Sequence, residues 1–193
     1  MKIDIILAGV GGQGILSIAA VIGQAALANN LNIKQSEVHG MSQRGGAVMS
    51  HLRISSDPIA SDLIPFGKAD MILSVEPMES LRYLDYLSEQ GWVVTNTKAF
   101  ENIANYPDYE RLINTIKDLP NRVFVDADQI AHEVGSVKAS NMVMLGAAIP
   151  YLKLSPESVE GAIHDIFASK GDEIVDLNVK AMKSGWEHTL RAV

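Results

Sequence analysis

Ile3, Ile5, Ile6, Leu7 and Ala8 form an apolar run at the start of the chain. A run this short, closed by glycine, predicts a buried strand over residues 2–8. The period then changes. Ile15, Ile18, Ala19, Ile22, Ala25 and Ala26 recur three and four residues apart, which places one apolar stripe on a helix over 14–29, with Asn29 and Asn30 as its stop. A second strand, over 33–38, is unusually polar for the interior of a parallel sheet and is expected at an edge or an interface. Across 47–54 the alternate positions diverge, with Val48, Leu52 and Ile54 on one face and Met49, His51 and Arg53 on the other. The stretch 39–46 between these strands is glycine-rich and too short for a crossover helix. The two are therefore expected to be antiparallel neighbours.

The same pattern continues to the end. Strands are expected over 71–75, 92–95 and 122–125, and a helix over 77–88 with Pro77 in its first turn. Residues 97–120, which include Pro107 and Pro120, read as mixed loop and helix. Helices follow over 127–134, 140–152, 156–167 and 173–189, the last carrying the stripe Val175, Val179, Met182 and Trp186. This alternation predicts an α/β fold: a Rossmann-like three-layer sandwich with a mostly parallel sheet, an inserted antiparallel hairpin and a helical C-terminal part. The length of 193 residues, without internal repeat or composition break, suits one domain over 1–193.

Composition narrows the chemistry. At 47% hydrophobic residues the chain has material for a sizeable core. A net charge of -7 offers no electrostatic reason to bind nucleic acid or an anionic membrane, and it would complement a basic partner surface. The absence of cysteine excludes disulfides and cysteine-ligated iron–sulfur clusters from this chain. The five histidines are dispersed without ligand spacing, so no metal site is expected. No basic leader and no bilayer-length apolar segment is seen, and a cytoplasmic location is expected.

Two glycine-rich turns carry the candidate chemistry. In "GVGGQG", Gly9, Gly11 and Gly14 satisfy G-x-G-x-x-G after a strand and at the start of a helix, with Gly12 and Gln13 completing the turn. Gly9 would permit the turn, Gly11 close approach of a ligand, and Gly14 close packing of helix on strand. The helix N-terminus would offer N–H groups to a phosphate. Glu37 lies where a ribose-binding acid is expected. The alternative is a turn that only reverses the chain, with Glu37 a solvated edge residue. No His/Lys/Tyr catalytic set accompanies it, which weighs against a dehydrogenase. In the second turn Arg44, Gly45 and Gly46 set a guanidinium beside bare backbone, a combination suited to carboxylate or phosphate. Met41 and Met49 add adaptable apolar surface. The alternative there is a tight hairpin whose arginine pairs with a neighbouring carboxylate.

Other polar positions have local readings. Asn141 opens an apolar helix and reads as a cap or as a buried amide tying segments together. Asp126 and Asp128 end a strand at the edge where α/β ligands bind, and Asp126 is well placed as a helix cap. Glu76 would favour a helix dipole. His39 and His51 flank the second glycine turn, with a surface role expected, and Met142 and Met144 are expected in the core.

Taken together, "GVGGQGIL" and "SEVHGMSQRGGAVMSHLRIS" resemble the gamma subunit or gamma domain of 2-oxoacid:ferredoxin oxidoreductases, indolepyruvate enzymes in particular. The resemblance runs on through "ADMILSVEPMESLRYL", "GWVVTNT", "VFVDADQIAHEVG" and "ASNMVMLGAAI". It implies an accessory subunit of a complex that decarboxylates a 2-oxoacid oxidatively to an acyl-CoA. Thiamine diphosphate and iron–sulfur clusters would reside on large catalytic partner subunits and pass electrons to ferredoxin. The chain is consistent with that division: it has no cysteine, and the "GDE" at Gly171, Asp172 and Glu173 is not the thiamine-diphosphate metal motif. The resemblance implies no catalytic residue and no tightly bound cofactor here. It implies coenzyme A contact, with Gly9, Gly11, Gly12, Gln13, Gly14, Arg44, Gly45, Gly46 and Asn141 as the residues expected to make it. A homodimer is the expected form in isolation. The competing reading is a stand-alone Rossmann-type nucleotide-dependent oxidoreductase.

Overall fold

The computed structural model describes residues 1–39, 45–101 and 103–192. Six strands, β1 (Lys2–Val10), β2 (Asn32–His39), β3 (Ala47–Ser55), β4 (Ala69–Ser74), β5 (Leu87–Asn96) and β6 (Arg122–Val125), form one sheet in the order β2-β3-β1-β4-β5-β6. β1, β4, β5 and β6 are parallel, whereas β3 is antiparallel to both its neighbours, β1 and β2. The expected hairpin is therefore present, and its polar second strand is an edge strand. The register Ile3↔Ile54 and Ile5↔Leu52 aligns apolar residues of β1 and β3 on one face.

The two faces are unequal. Ile3, Ile5, Leu7, Leu52, Ile54, Met71 and Leu73 join a large core with α1 (Ile15–Ala28), α4 (Ala127–Val134), α5 (Ser140–Leu152), α6 (Pro156–Phe167) and α7 (Asp172–Ala192). Ile6, Ile72 and Val93 face the other way, under a thinner layer made by α2 (Pro77–Arg82), α3 (Tyr109–Lys117) and the segment 56–68. Helix α5 is buried almost all round because the sheet covers one side and α7 the other. Its approach to α7 is set by paired glycines. A Cβ on Gly146 would collide with the carbonyl of Met182, and one on Gly185 with the carbonyl of Val143. Thr189 Oγ1 then donates to the carbonyl of Ala147 at 3.1 Å, fixing the crossing.

The helix expected over 77–88 is shorter. It ends at Arg82, a 3₁₀ turn spans Leu84–Tyr86, and Ser88 already lies in β5. Leu87 pairs with Ala69 of β4, so tertiary strand pairing outcompetes another helical turn. The surface role expected for His51 is also corrected. The side chain is buried, and its Nδ1 accepts the backbone N–H of Ile64 at 3.1 Å. Arg53 completes the strap, donating from Nη1 to the carbonyls of Ser61 and Leu63 at 3.0 and 2.9 Å. Its Nε and Nη2 hold the buried carboxylate of Asp4 at 2.7 and 3.0 Å. The pattern along β3 hid this because segment 56–68 covers a face that reads as polar. Met142 and Met144 are in the core as expected. Among the described residues, no helix is long and apolar enough to cross a membrane.

Two predictions follow from the packing. Gly146→Ala forces a methyl group against rigid backbone and is expected to cost about 3 kcal/mol, read as a lowered denaturation midpoint; a midpoint equal to wild type would contradict the helix contact. Burial lowers the pKa of His51 below its ordinary 6.5, opposed by Asp62 and aided by Arg53. With a depressed folded pKa, the stability carried by neutral His51 is complete above 6.5 and is lost as pH falls through the folded value. Thermal melts from about pH 7.5 to about pH 5 should therefore show a decline that His51→Gln partly removes.

Candidate functional site

The glycine turns meet at the carboxyl edge of the sheet. Gly9 is the penultimate residue of β1, and a Cβ there would strike the Val75 side chain, so the close approach of the β4 end requires glycine. Gln13 folds back to close the turn: its Oε1 accepts the N–H of Val10 at 2.8 Å, and its own N–H donates to the Val10 carbonyl at 3.1 Å. Gly14 caps α1 at φ 78°, in the left-handed region that favours glycine. Asn141 presses on it from the start of α5, donating from Nδ2 to the Gly14 carbonyl at 3.3 Å while its Oδ1 accepts the N–H of Met142 at 3.0 Å.

The second glycine turn extends the β1–β3 ladder. Gly11 donates its N–H to the Gly46 carbonyl at 2.8 Å, and Gly45 donates to the Gly11 carbonyl at 3.3 Å. The structure thus brings Gly9, Gly11, Gly12, Gln13, Gly14, Gly45, Gly46 and Asn141 together. Arg44, with Met41, lies outside the described residues. Of His39, only the backbone is described. The N–H of Gly11, read from sequence as a place for ligand approach, is occupied by Gly46. Among the described residues, the N–H groups of Gly12, Gly14, Ile15 and Leu16 have no acceptor. They open on a depression of about 300 Å³ whose lining includes Val10, Leu16 and Val48. Bare donors at a helix N-terminus beside an apolar wall suit an anionic group attached to an apolar body.

Glu37 is not where a ribose-binding acid belongs. It sits on β2, with β3 between it and β1. Two strand spacings put it about 10 Å from the glycine turn's strand.

The remaining edge is a polar network. Asn96, at the end of β5, donates to the Asp128 carboxylate at 2.9 Å and accepts the N–H of Ala127 at 3.1 Å. Asp126 caps α4 as expected, accepting the N–H of Gln129 at 3.0 Å. Glu76 does more than favour a dipole. It is fully buried, caps α2 through the N–H of Glu79 at 2.9 Å, and accepts from the Phe100 N–H at 3.3 Å and from the Tyr106 hydroxyl. Burial and the Glu76 carboxylate both push the Tyr106 pKa up, so this phenol stays a donor. Among the described residues, no group of three His, Cys, Asp or Glu side chains could hold a metal ion.

The model of the pyruvate ferredoxin/flavodoxin oxidoreductase family matches residues 4–188. The chain belongs to this family. Indolepyruvate oxidoreductase subunit IorB of Archaeoglobus fulgidus is 38% identical over 199 residues, covering 98% of this chain and 96% of that protein. The keto/oxoacid ferredoxin oxidoreductase gamma subunit of Geobacter sulfurreducens superposes with a TM-score of 0.70 at 25% identity, covering 98% of this chain and 99% of that one. A 2-oxoglutarate:ferredoxin oxidoreductase from Magnetococcus marinus has the same fold, with a TM-score of 0.78 at 21% identity. It covers 100% of this chain, which spans 31% of that longer one.

Sequence reasoning missed Asn96 and undervalued Glu76, since their partners from other elements are 21 to 32 positions away. The sequence signal for both was a polar residue directly after an apolar strand, the place where α/β edges gather polar groups.

A Cβ on Gly14 would lie 2.5 Å from Asn141 Nδ2. Gly14→Ala is expected to cost about 2 kcal/mol in stability, from left-handed backbone and contact together. In a double-mutant cycle, Asn141→Ala should recover the contact part, a coupling of about 1 kcal/mol. Strict additivity would show that the two residues do not act on each other.

Proposed function

We propose that this chain is the small accessory subunit of a thiamine diphosphate-dependent 2-oxoacid:ferredoxin oxidoreductase, with an aryl-pyruvate such as indolepyruvate as substrate. One observation carries the reading: the chain matches an indolepyruvate oxidoreductase subunit over nearly its whole length. The complex converts a 2-oxoacid and coenzyme A to an acyl-CoA and carbon dioxide, releasing two electrons. Thiamine diphosphate and the iron–sulfur clusters belong on large catalytic partner chains, which deliver the electrons to ferredoxin in the cytoplasm. A chain without cysteine cannot ligate such clusters through thiolates.

Within that complex the glycine edge is assigned to coenzyme A. The N–H groups of Gly12, Gly14, Ile15 and Leu16 would receive a phosphate, with Arg44 as the cation. The apolar wall at Val10, Leu16 and Val48 would lie against the pantetheine arm. Gly9, Gly11, Gln13, Gly45, Gly46 and Asn141 hold the turn in the necessary shape. The Magnetococcus enzyme was solved with coenzyme A bound. The displaced Glu37 is the reason to prefer this over a stand-alone dinucleotide oxidoreductase.

Co-expression with a thiamine-binding, cysteine-rich large chain is expected to give a complex that reduces ferredoxin only with both an aryl-pyruvate and coenzyme A. The small chain alone should be inert. Arg44→Gln should raise KM for coenzyme A about tenfold while leaving KM for the oxoacid unchanged. Tight nicotinamide binding with turnover by the isolated chain would overturn the assignment.

A further inference from the structure

A depression of about 520 Å³ lies between α2 and α3 on the thin face and shares no residue with the glycine turns. Its floor is apolar: Met78 and Leu112 are buried, with Leu81 and Pro107 beside them. Two arginines, Arg82 and Arg111, line it as well.

Arg82 is pinned. Its Nε and Nη2 donate to the two carboxylate oxygens of Glu79 at 2.9 and 3.2 Å, and the Glu79 side chain is 0% exposed. Swinging Arg82 away would strand a buried carboxylate, so the guanidinium keeps its place. It remains 45% exposed, and its Nη1 has no acceptor among the described residues. Arg111 is exposed, and its guanidinium likewise has no acceptor there. Its backbone is already engaged, the N–H by Asp108 Oδ1 at 2.9 Å and the carbonyl by Thr115 Oγ1 at 2.9 Å. Asp108 is the one acidic residue in the lining, and its Oδ1 accepts the Arg111 N–H as the cap of α3.

A fixed guanidinium and an unspent one above an apolar floor form an exception on a chain of net charge -7. We propose that this depression binds a small amphiphilic carboxylate, an acid with an aromatic or branched-alkyl body. The carboxylate lies between Arg82 and Arg111, and the body rests on Met78, Leu81 and Leu112. The volume falls in the range of small-molecule sites. A bare anion would leave the floor without a partner, and a neutral aromatic would leave the guanidinium donors unused. The inference is independent of the assigned coenzyme A contact and of the chain's place in a complex.

The test is calorimetric titration of the chain with phenylacetate, and with acetate and 2-phenylethanol as its two halves. Phenylacetate is expected to bind at least about tenfold more tightly than either half, with amide shifts in the nuclear magnetic resonance spectrum centred on α2 and α3. Arg111→Gln should weaken phenylacetate about tenfold without moving the melting temperature. Leu81→Glu, which puts a carboxylate over the floor, should abolish binding even if the arginine variant fails to fold. Equal binding of phenylacetate and 2-phenylethanol, shifts centred elsewhere, or unchanged binding by a folded Arg111→Gln would each overturn the proposal. So would an Arg111→Gln variant that loses assembly with a large chain while wild type ignores phenylacetate, which would mark the depression as a protein interface.

Discussion

The antiparallel strand β3, wedged between β1 and β2, is the constraint on which the functional end of this molecule depends. In an uninterrupted dinucleotide-binding sheet, the strand after the first helix pairs with the first strand and brings an acid beside the glycine turn. Here that position is occupied by β3, running the other way. Its N-terminal end therefore lies at the carboxyl edge, and the backbone of Gly45 and Gly46 pairs with Gly11. One insertion thus joins the two glycine turns, uses a donor that a nucleotide would have claimed, and moves Glu37 to the far strand.

From that wedge the organisation of the edge propagates by contact. The glycine turn is held from three sides: by Gly46 through Gly11, by Asn141 through Gly14, and by Val75 against Gly9. Val75 donates its N–H to the Ala8 carbonyl at 3.0 Å, and its own carbonyl accepts from Asn96 at 3.4 Å. Asn96 reaches in turn to Ala127 and Asp128. The ends of β1, β4, β5 and α4 are therefore one bonded series. A buried polar series of this kind fixes geometry as long as each member is satisfied. The donors left over, at Gly12, Gly14, Ile15 and Leu16, are pre-positioned rather than loose.

The parts legible in the sequence were those whose signals are local. The bounds of α4, α5 and α6 coincide with the expected ranges; Asp126 and the Ser155–Pro156 pair mark the starts of α4 and α6, whereas α5 has no side-chain cap and its apolar run carries the signal. The β2–β3 hairpin was legible because a short glycine-rich link leaves no room for a crossover. The end of α2 was not legible. Leu81, Leu84 and Leu87 keep three-residue spacing, yet Leu84 and Leu87 pack against the thin-face core from a 3₁₀ turn and a strand. The same limit hid His51, whose acceptor role exists only because Ile64 arrives from another segment. Site residues divide along the same line. The glycines announce themselves, whereas Asn96 and Glu76 acquire meaning only from partners brought by the fold.

This division bears on what the glycine turn is for. Glycines in such a turn serve three separable purposes, the turn itself, close packing of backbone on backbone and close approach of a ligand. At Gly9 and Gly14 the packing purpose is fully taken up, by Val75 and by Asn141. At Gly11 the backbone is taken up by Gly46. Gly12 is different, because it adopts φ 102° with nothing near its missing side chain. There the left-handed turn, rather than packing, calls for glycine, and the N–H groups of Gly12 and of the first turn of α1 are the ones the proposed phosphate contact would use. The turn presents anion-facing donors with no acid on β3 beside it, the arrangement that the proposed coenzyme A contact would use.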